Sequence, residues 1–485
     1  MERDTPFIHL FKTPGGYYIY DINTNRIIKT QESVYNYLSL NRGNEINIGE
    51  SSGNNEYDIL IDKMKEKGLL SSNKVKEIIH PEDSLLEQNL ASKIKMITLQ
   101  VTQQCNLRCE YCAYSGDYVN RGHANARMSF ETAKKGIDFL ISHSKDVDMV
   151  NVGFYGGEPL LEFELIKKCV NYTLDNYGGK KITFGMTTNG TLFTKEILDF
   201  LSMHDFLIII SLDGPKEIHD LNRKFAAGGC GTFDKVNKNL EIFRESYPEY
   251  FKKVRFNVVM DRKNDFSCMN EFFNSDDIFT DLTLNTSDIS VNYLKKQYQS
   301  SDTFDIKFKY EVFKLYLNKV GKLDKRIVSK LVTGTYNRVK TSFSKERLYT
   351  KKLPDKTHHS GPCVPGAQRL FMDVNGNFYP CERVSESSEV MRIGHVDMGF
   401  DYEKIRKILN IGKITEKSCI NCWAFRFCTL CAASADDMEG LSAEMKSKHC
   451  NAVRATQEEA LKDYCTLIEF GHSFEENNSY YVLEG

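Results

Sequence analysis

The sequence has no apolar run of membrane-spanning length, which takes about 20 residues. Its first residues, MERDTPFIHLF, lack the apolar core of a secretory signal. It has no excess of either charge: 64 Lys and Arg against 66 Asp and Glu leave a net charge of -2. Nothing in that balance argues for nucleic acid or an anionic membrane as a partner. There is no internal repeat and no long low-complexity tract. What remains, 41% hydrophobic and 27% charged residues, describes an ordinary globular chain, and 485 residues suggest about three domains. A cytoplasmic protein is expected. That compartment keeps thiols reduced, so the fourteen cysteines are not expected as disulfides. Clustered reduced cysteines point to metal.

The cysteines are unevenly placed. Cys105, Cys109 and Cys112 lie together, and seven more fall from Cys363 to Cys450. Cys169, Cys230, Cys268 and Cys465 are isolated and are expected to be small buried hydrophobes.

Along the chain, residues 1–80 read as a small module. FIHLF, GYYIYDI and RIIKT have strand character with turn signals between them. QESVYNYLSL and EYDILIDKMKEKGLL follow with helical periodicity, so a compact winged-helix-like domain is expected. Residues 81–93 read as a polar linker. From 94 to 300, the β-rich runs IKMITLQV, MVNVGFY, KITFGMT, LIIISLD and VRFNVVM alternate with helical stretches. Such βα repetition implies an α/β fold with a parallel sheet, open or closed into a barrel. Functional residues then collect at the carboxyl ends of the strands. Residues 301–360 read as a helical bridge. Residues 361–452 are loop-rich and hold seven cysteines, a composition that metal would hold together. Residues 453–485 read as a helix and a polar tail.

Cys105-Asn-Leu-Arg-Cys109-Glu-Tyr-Cys112 directly follows the first β-rich run. Three thiolates on one short loop can reach three irons of a cubane cluster and leave the fourth without a protein ligand. Structural zinc takes four. This C-x3-C-x-aromatic-C spacing resembles the radical S-adenosylmethionine (SAM) superfamily, and the resemblance continues in order. Gly156-Gly157-Glu158-Pro159 ends the second run, Thr187-Thr188-Asn189-Gly190 the third and Ser211-Leu212-Asp213-Gly214 the fourth; His219-Asp220-x-Asn222-Arg223 comes after. The resemblance implies a partial (β/α)6 barrel. It implies that Tyr111 lies against the adenine of SAM, and that Gly156, Gly157 and Glu158 meet its amino group. Asn189 and Ser211 would contact the ribose, and Arg223 would pair with the carboxylate.

The downstream cysteines, Cys363-x12-Gly376-x4-Cys381, then Cys419-x2-Cys422-x5-Cys428-x2-Cys431, then Cys450, resemble the SPASM domain of radical SAM peptide modifiers. The last x2 is one residue shorter than the family's x3. Carried over, Cys419, Cys422, Cys428 and Cys450 hold a distal auxiliary cluster, and Cys363, Cys381 and Cys431 a proximal one. The cofactors implied are three [4Fe-4S] clusters and SAM. Where relatives carry another cysteine before the position of Cys363, this chain has Thr357-His358-His359-Ser360. The proximal cluster is therefore expected to keep an open iron or to be completed by His358 or His359. Residues 7–80 resemble the peptide-binding module of maturases of ribosomally made peptides, which adds a leader-peptide strand to a sheet edge.

Together these imply a maturase that forms a thioether in a cysteine-rich precursor peptide, with a flavodoxin or ferredoxin as electron donor. A carbon–carbon cross-linking maturase and a formylglycine-forming sulfatase-type maturase are the enzyme alternatives. An iron–sulfur or zinc-scaffolded binding protein is the non-enzyme alternative. The sequence identifies no catalytic acid or base.

Overall fold

The computed structural model describes residues 5–40, 56–114, 117–119, 121–275, 277–279, 282–343, 349–359, 363–474 and 480–482. Parts of the expected N-terminal module and C-terminal tail lie outside these.

Three antiparallel strands open the chain: β1 (Ile8–Thr13), β2 (Gly16–Asp21) and β3 (Arg26–Thr30). Side chains alternate between the two faces of a sheet, and here both faces are covered. Ile8, Leu10, Ile19 and Ile28 pack with Val34 and Leu38 of helix Glu32–Leu40 and with Ile61 and Met64 of helix Glu56–Glu66. On the other face Phe11, Tyr18, Tyr20 and Ile27 join the main core of the molecule. The module is thus docked on the rest of the chain. The two-residue strand β4 (Glu77–Ile78) follows.

Residues 81–93 are not a linker. Leu86–Ser92 is helical, and Leu86 and Leu90 are fully buried. Their i,i+4 spacing puts both on one helix face, while the polar residues between them gave the segment its linker-like composition.

Six parallel strands come next, in chain order across the sheet: β5 (Met96–Thr102), β6 (Met149–Gly156), β7 (Lys181–Thr188), β8 (Leu207–Ser211), β9 (Arg255–Met260) and β10 (Thr283–Asp288). Helices Phe130–Ser142, Phe163–Tyr177, Lys195–Met203, Phe233–Ser246 and Phe266–Ser275 connect them. Ser129 and Thr194 cap two of these helices by accepting from the amides of Thr132 and Ile197. This is the wall of a partial (β/α)6 barrel. The position of its sixth strand was not identified in the sequence, because TLNTSD is largely exposed and carries no apolar run.

Helices Asp302–Lys319 and Thr333–Phe343 lead to β11 (Lys356–Thr357), which pairs with β4. The cysteine-rich part then extends the barrel sheet. β12 (Leu370–Met372) pairs parallel to β5, and β13 (Asn377–Tyr379), β14 (Gly394–His395) and β15 (Gly399–Phe400) add antiparallel. After helix Cys450–Glu469, β16 (Tyr480–Val482) returns to the N-terminal sheet and pairs parallel with β3. Among the described residues, no helix is long and apolar enough to cross a membrane.

Candidate functional site

Cys105, Cys109 and Cys112 occupy the loop that leaves β5. Cys105 Sγ accepts from the Leu107 amide at 3.3 Å, and the Cys112 amide donates to the Cys109 carbonyl at 3.1 Å. Burial pushes the Cys105 thiol up to about 12 and the Cys109 thiol up to about 11. Thiolates here therefore need positive charge brought to them, and iron supplies it; the donor set fits a cluster held by three cysteines.

The end of β6 is laid directly on this loop. The Gly157 amide donates to Thr102 O at 3.0 Å and the Glu158 amide to Gln104 O at 2.9 Å. A Cβ at Gly156 would stand 2.0 Å from Thr102 O, and one at Gly157 2.1 Å from Gln104 O. Gly156 also has φ of +146°. The glycines first allow strand end and cysteine loop to touch.

Glu158 is buried and braces the neighbouring strand end. Its carboxylate accepts from Thr188 Oγ1 (2.7 Å), the Asn189 amide (2.8 Å) and the Leu160 amide (3.1 Å). Burial still pushes it up to about 7. Asn189 bridges onward: its Nδ2 donates to Asn106 Oδ1 at 2.8 Å and reaches Cys105 Sγ at 4.0 Å. Of the residues expected at the ribose, Asn189 thus lies against the cysteine loop, and Ser211 ends β8 at the same rim.

Arg223 was expected to pair with the SAM carboxylate, yet the chain supplies a carboxylate of its own. Nε and Nη2 of Arg223 donate to Asp213 at 2.9 and 3.3 Å. Asp213 also accepts from the Tyr111 phenol and from the Val259 amide at 3.1 Å. The guanidinium lies 5.4 Å from the Tyr111 ring centroid. Both partners are buried, so the Nε–Nη2 edge of the Arg223 fork is committed. Tyr111 enters this group through its side chain. His219, fully buried and lowered to about 3 by burial, accepts from the Asp213 amide at 3.4 Å. Asp213 lies inside the Ser211–Gly214 motif, where the family resemblance points only to Ser211.

A second buried polar group joins barrel to cysteine-rich domain. Gln100, fully buried in β5, donates to Tyr114 Oη at 2.8 Å and Glu386 Oε1 at 2.9 Å. Arg121 pairs with Glu386 at 3.0 Å and donates to the Val384 carbonyl at 2.9 Å. None of these four was anticipated.

In the cysteine-rich domain, Cys419, Cys422, Cys428 and Cys450 line one cavity together with His359 and Lys446. Cys363, Cys381 and Cys431 are electrostatic neighbours of one another, and burial pushes Cys381 up to about 11. The expected quartet and trio are thus each brought together. The expected histidine ligand is not. His358 Nε2 accepts from the Gly412 amide at 2.7 Å, and its Nδ1 faces the His359 carbonyl at 3.0 Å, so both ring nitrogens are engaged. His359 lines the quartet's cavity, with Nδ1 at 3.2 Å from the Cys428 carbonyl. Of the isolated cysteines, Cys169 and Cys465 are buried as expected, Cys268 is half-buried, and Cys230 is exposed; its Gly228-Gly229-Cys230-Gly231 loop offers no apolar cover.

The N-terminal sheet sits on the distal quartet's segment. His9 stacks on Trp423 at 3.7 Å between centroids, and Arg426 donates to the carbonyls of Ile22 (2.7 Å) and Asn23 (2.9 Å). The outer side of β3 pairs with β16, so β1 and β16 are the edges of this sheet among the described residues.

Residues 99–271 match the family model of the Radical SAM superfamily. A cysteine-type anaerobic sulfatase-maturating enzyme of Clostridium perfringens is 32% identical over 168 residues, 34% of this chain and 43% of that protein. A radical SAM cyclopropyl synthase, TigE, of Paramaledivibacter caminithermalis is 25% identical over 420 residues, 82% of this chain and 81% of that one. The chain spans less than half the length of the curated relatives it matches at 39% and 32% identity. The solved structure of native anSMEcpe with bound AdoMet and Cp18Cys peptide superposes with a TM-score of 0.57 at 21% identity, over 77% of this chain and 97% of that one. That likeness establishes the shared α/β fold.

Proposed function

We propose that this chain, whose residues 99–271 are a radical SAM domain, forms a sulfur-to-carbon thioether in a cysteine-rich precursor peptide. When bound, a cluster on Cys105, Cys109 and Cys112 together with SAM supplies a 5′-deoxyadenosyl radical able to take hydrogen from a peptide carbon. The protein's part is to hold, orient and keep water out. Gly156 and Gly157 let β6 close on the cysteine loop. Glu158, raised by burial, meets a cationic amino group. Asn189 and Ser211 face the ribose from the rim. Arg223, fixed by Asp213, offers the rest of its fork to a carboxylate. Cys363, Cys381 and Cys431 number three, which leaves one iron of a proximal cluster free to hold a substrate thiolate. Cys419, Cys422, Cys428 and Cys450 complete a distal one, for three clusters in all. The leader of the peptide adds to the N-terminal sheet, and a flavodoxin or ferredoxin supplies electrons in the cytoplasm.

One observation carries this reading. The cysteine loop, Glu158, Asn189 and the Asp213–Arg223 pair share one rim of the barrel, and Gln100, Arg121 and Glu386 tie that rim to the cysteine-rich domain. The likeness to a cyclopropyl synthase over 82% of this chain favours carbon–carbon bond formation as the second reading. The test is mass spectrometry of a cysteine-rich precursor peptide after anaerobic incubation with the reconstituted chain, SAM and dithionite. A thioether removes two hydrogens and leaves the joined cysteine unlabelled by iodoacetamide. The same loss with every cysteine still labelled selects the second reading, and an unchanged peptide defeats both.

A further inference from the structure

Lys446 is buried, 1% exposed, in the short helix Ala443–Lys448. A charge taken out of water needs a counter-charge. Its Nζ donates to Thr415 Oγ1 at 2.8 Å and lies 3.9 Å from Cys419 Sγ. Thr415 Oγ1 is in turn 3.2 Å from the same sulfur. No carboxylate lies within ion-pair distance of Lys446 among the described residues, and its side chain lines the cavity of Cys419, Cys422, Cys428 and Cys450. The anions within its reach are the thiolates of that quartet. Arg454, half-buried, lines the same cavity from the following helix.

We infer that Lys446 is the fully buried counter-charge of the distal cluster and raises its reduction potential. This rests on the reading that the quartet carries a four-iron cluster. Lys446 is a positioning residue, acting through the cluster and its ligand Cys419. One electron enters the cluster from a reductant; no bond or proton moves, and the site becomes one charge more negative. A fixed ammonium beside it favours that reduced state.

The test is a dithionite titration of the fully reconstituted chain, followed by electron paramagnetic resonance at each cluster, in the unsubstituted, Lys446→Met and Lys446→Arg forms. In Lys446→Met the one-electron equilibrium of the distal cluster is expected to fall roughly tenfold or more, a drop of about 59 mV per tenfold. Lys446→Arg keeps the charge and is expected to stay near the unsubstituted potential. The proximal potential should not move. If Lys446→Met takes up less iron while Lys446→Arg loads fully, the charge is needed already at assembly, which supports the inference. Equal distal potentials in the Met and Arg forms, or equal loss of iron in both, overturn it. A different failure marks the underlying reading: if replacing Cys419, Cys422, Cys428 and Cys450 by Ala does not lower the bound iron by about four, the quartet carries no cluster to tune.

Discussion

Asp213→Ala is the perturbation whose size follows most directly from the geometry. It strips Arg223, 7% exposed, of the carboxylate that receives its Nε and Nη2 at 2.9 and 3.3 Å. It also removes the acceptor of the Tyr111 phenol and of the Val259 amide. Removing one partner of a buried ion pair costs about 3–5 kcal/mol, because the other charge is left buried and uncompensated. That is a large fraction of a domain's stability, about 5–15 kcal/mol. Arg223→Met alone is milder, since Asp213 keeps two donors. The double variant buries no unpaired charge, so its cost should fall short of the sum of the singles by roughly 1.5 kcal/mol or more. Urea unfolding of the cluster-free chain, followed by circular dichroism, measures all four forms. Additivity of the two substitutions within about 0.5 kcal/mol would refute the claim that this pair locks the rim.

Gly157→Ala sets a methyl 2.1 Å from Gln104 O, so it should displace the cysteine loop: iron bound at Cys105, Cys109 and Cys112 should fall severalfold while far-ultraviolet dichroism stays unchanged. Glu158 titrates near 7 when folded against a usual 4.5; the folded state then holds the extra proton, and the stability of the cluster-free chain should decline as pH rises from 4.5 toward 7. Glu158→Gln should flatten that decline in urea midpoints taken across the range. Truncation after Phe474 removes the strand that pairs with β3, so the shortened chain should bind leader peptide several times more tightly by fluorescence anisotropy. Equal affinity would mean that the leader does not use this edge.

What could be read beforehand divides by physical cause. The cysteine loop and the strand-end motifs were legible because each is local: a few contiguous residues state both the chemistry and the turn that presents it. Five barrel strands were legible from apolar runs such as LIIIS, whereas β10, Thr283–Asp288, is largely exposed and polar and gives no such run. Leu86 and Leu90 were hidden in a polar segment, since two apolar residues one turn apart bury a helix without altering its composition. The Asp213–Arg223 pair lay within two recognised motifs, but which residues it joins is decided only by folding. The Gln100–Glu386 contact spans 286 positions, and no local pattern encodes it. His358 looked available as a ligand until the Gly412 amide was seen to occupy its Nε2.

The central claim is that an iron at Cys105, Cys109 and Cys112 is left for SAM. Electron paramagnetic resonance of a chain in which the seven cysteines from Cys363 to Cys450 are replaced by Ala isolates that cluster after anaerobic reconstitution and reduction. Its spectrum should change when SAM is added, and 5′-deoxyadenosine should accumulate. A reduced cluster signal that is indifferent to SAM, with no 5′-deoxyadenosine formed by the unsubstituted chain, would contradict the account.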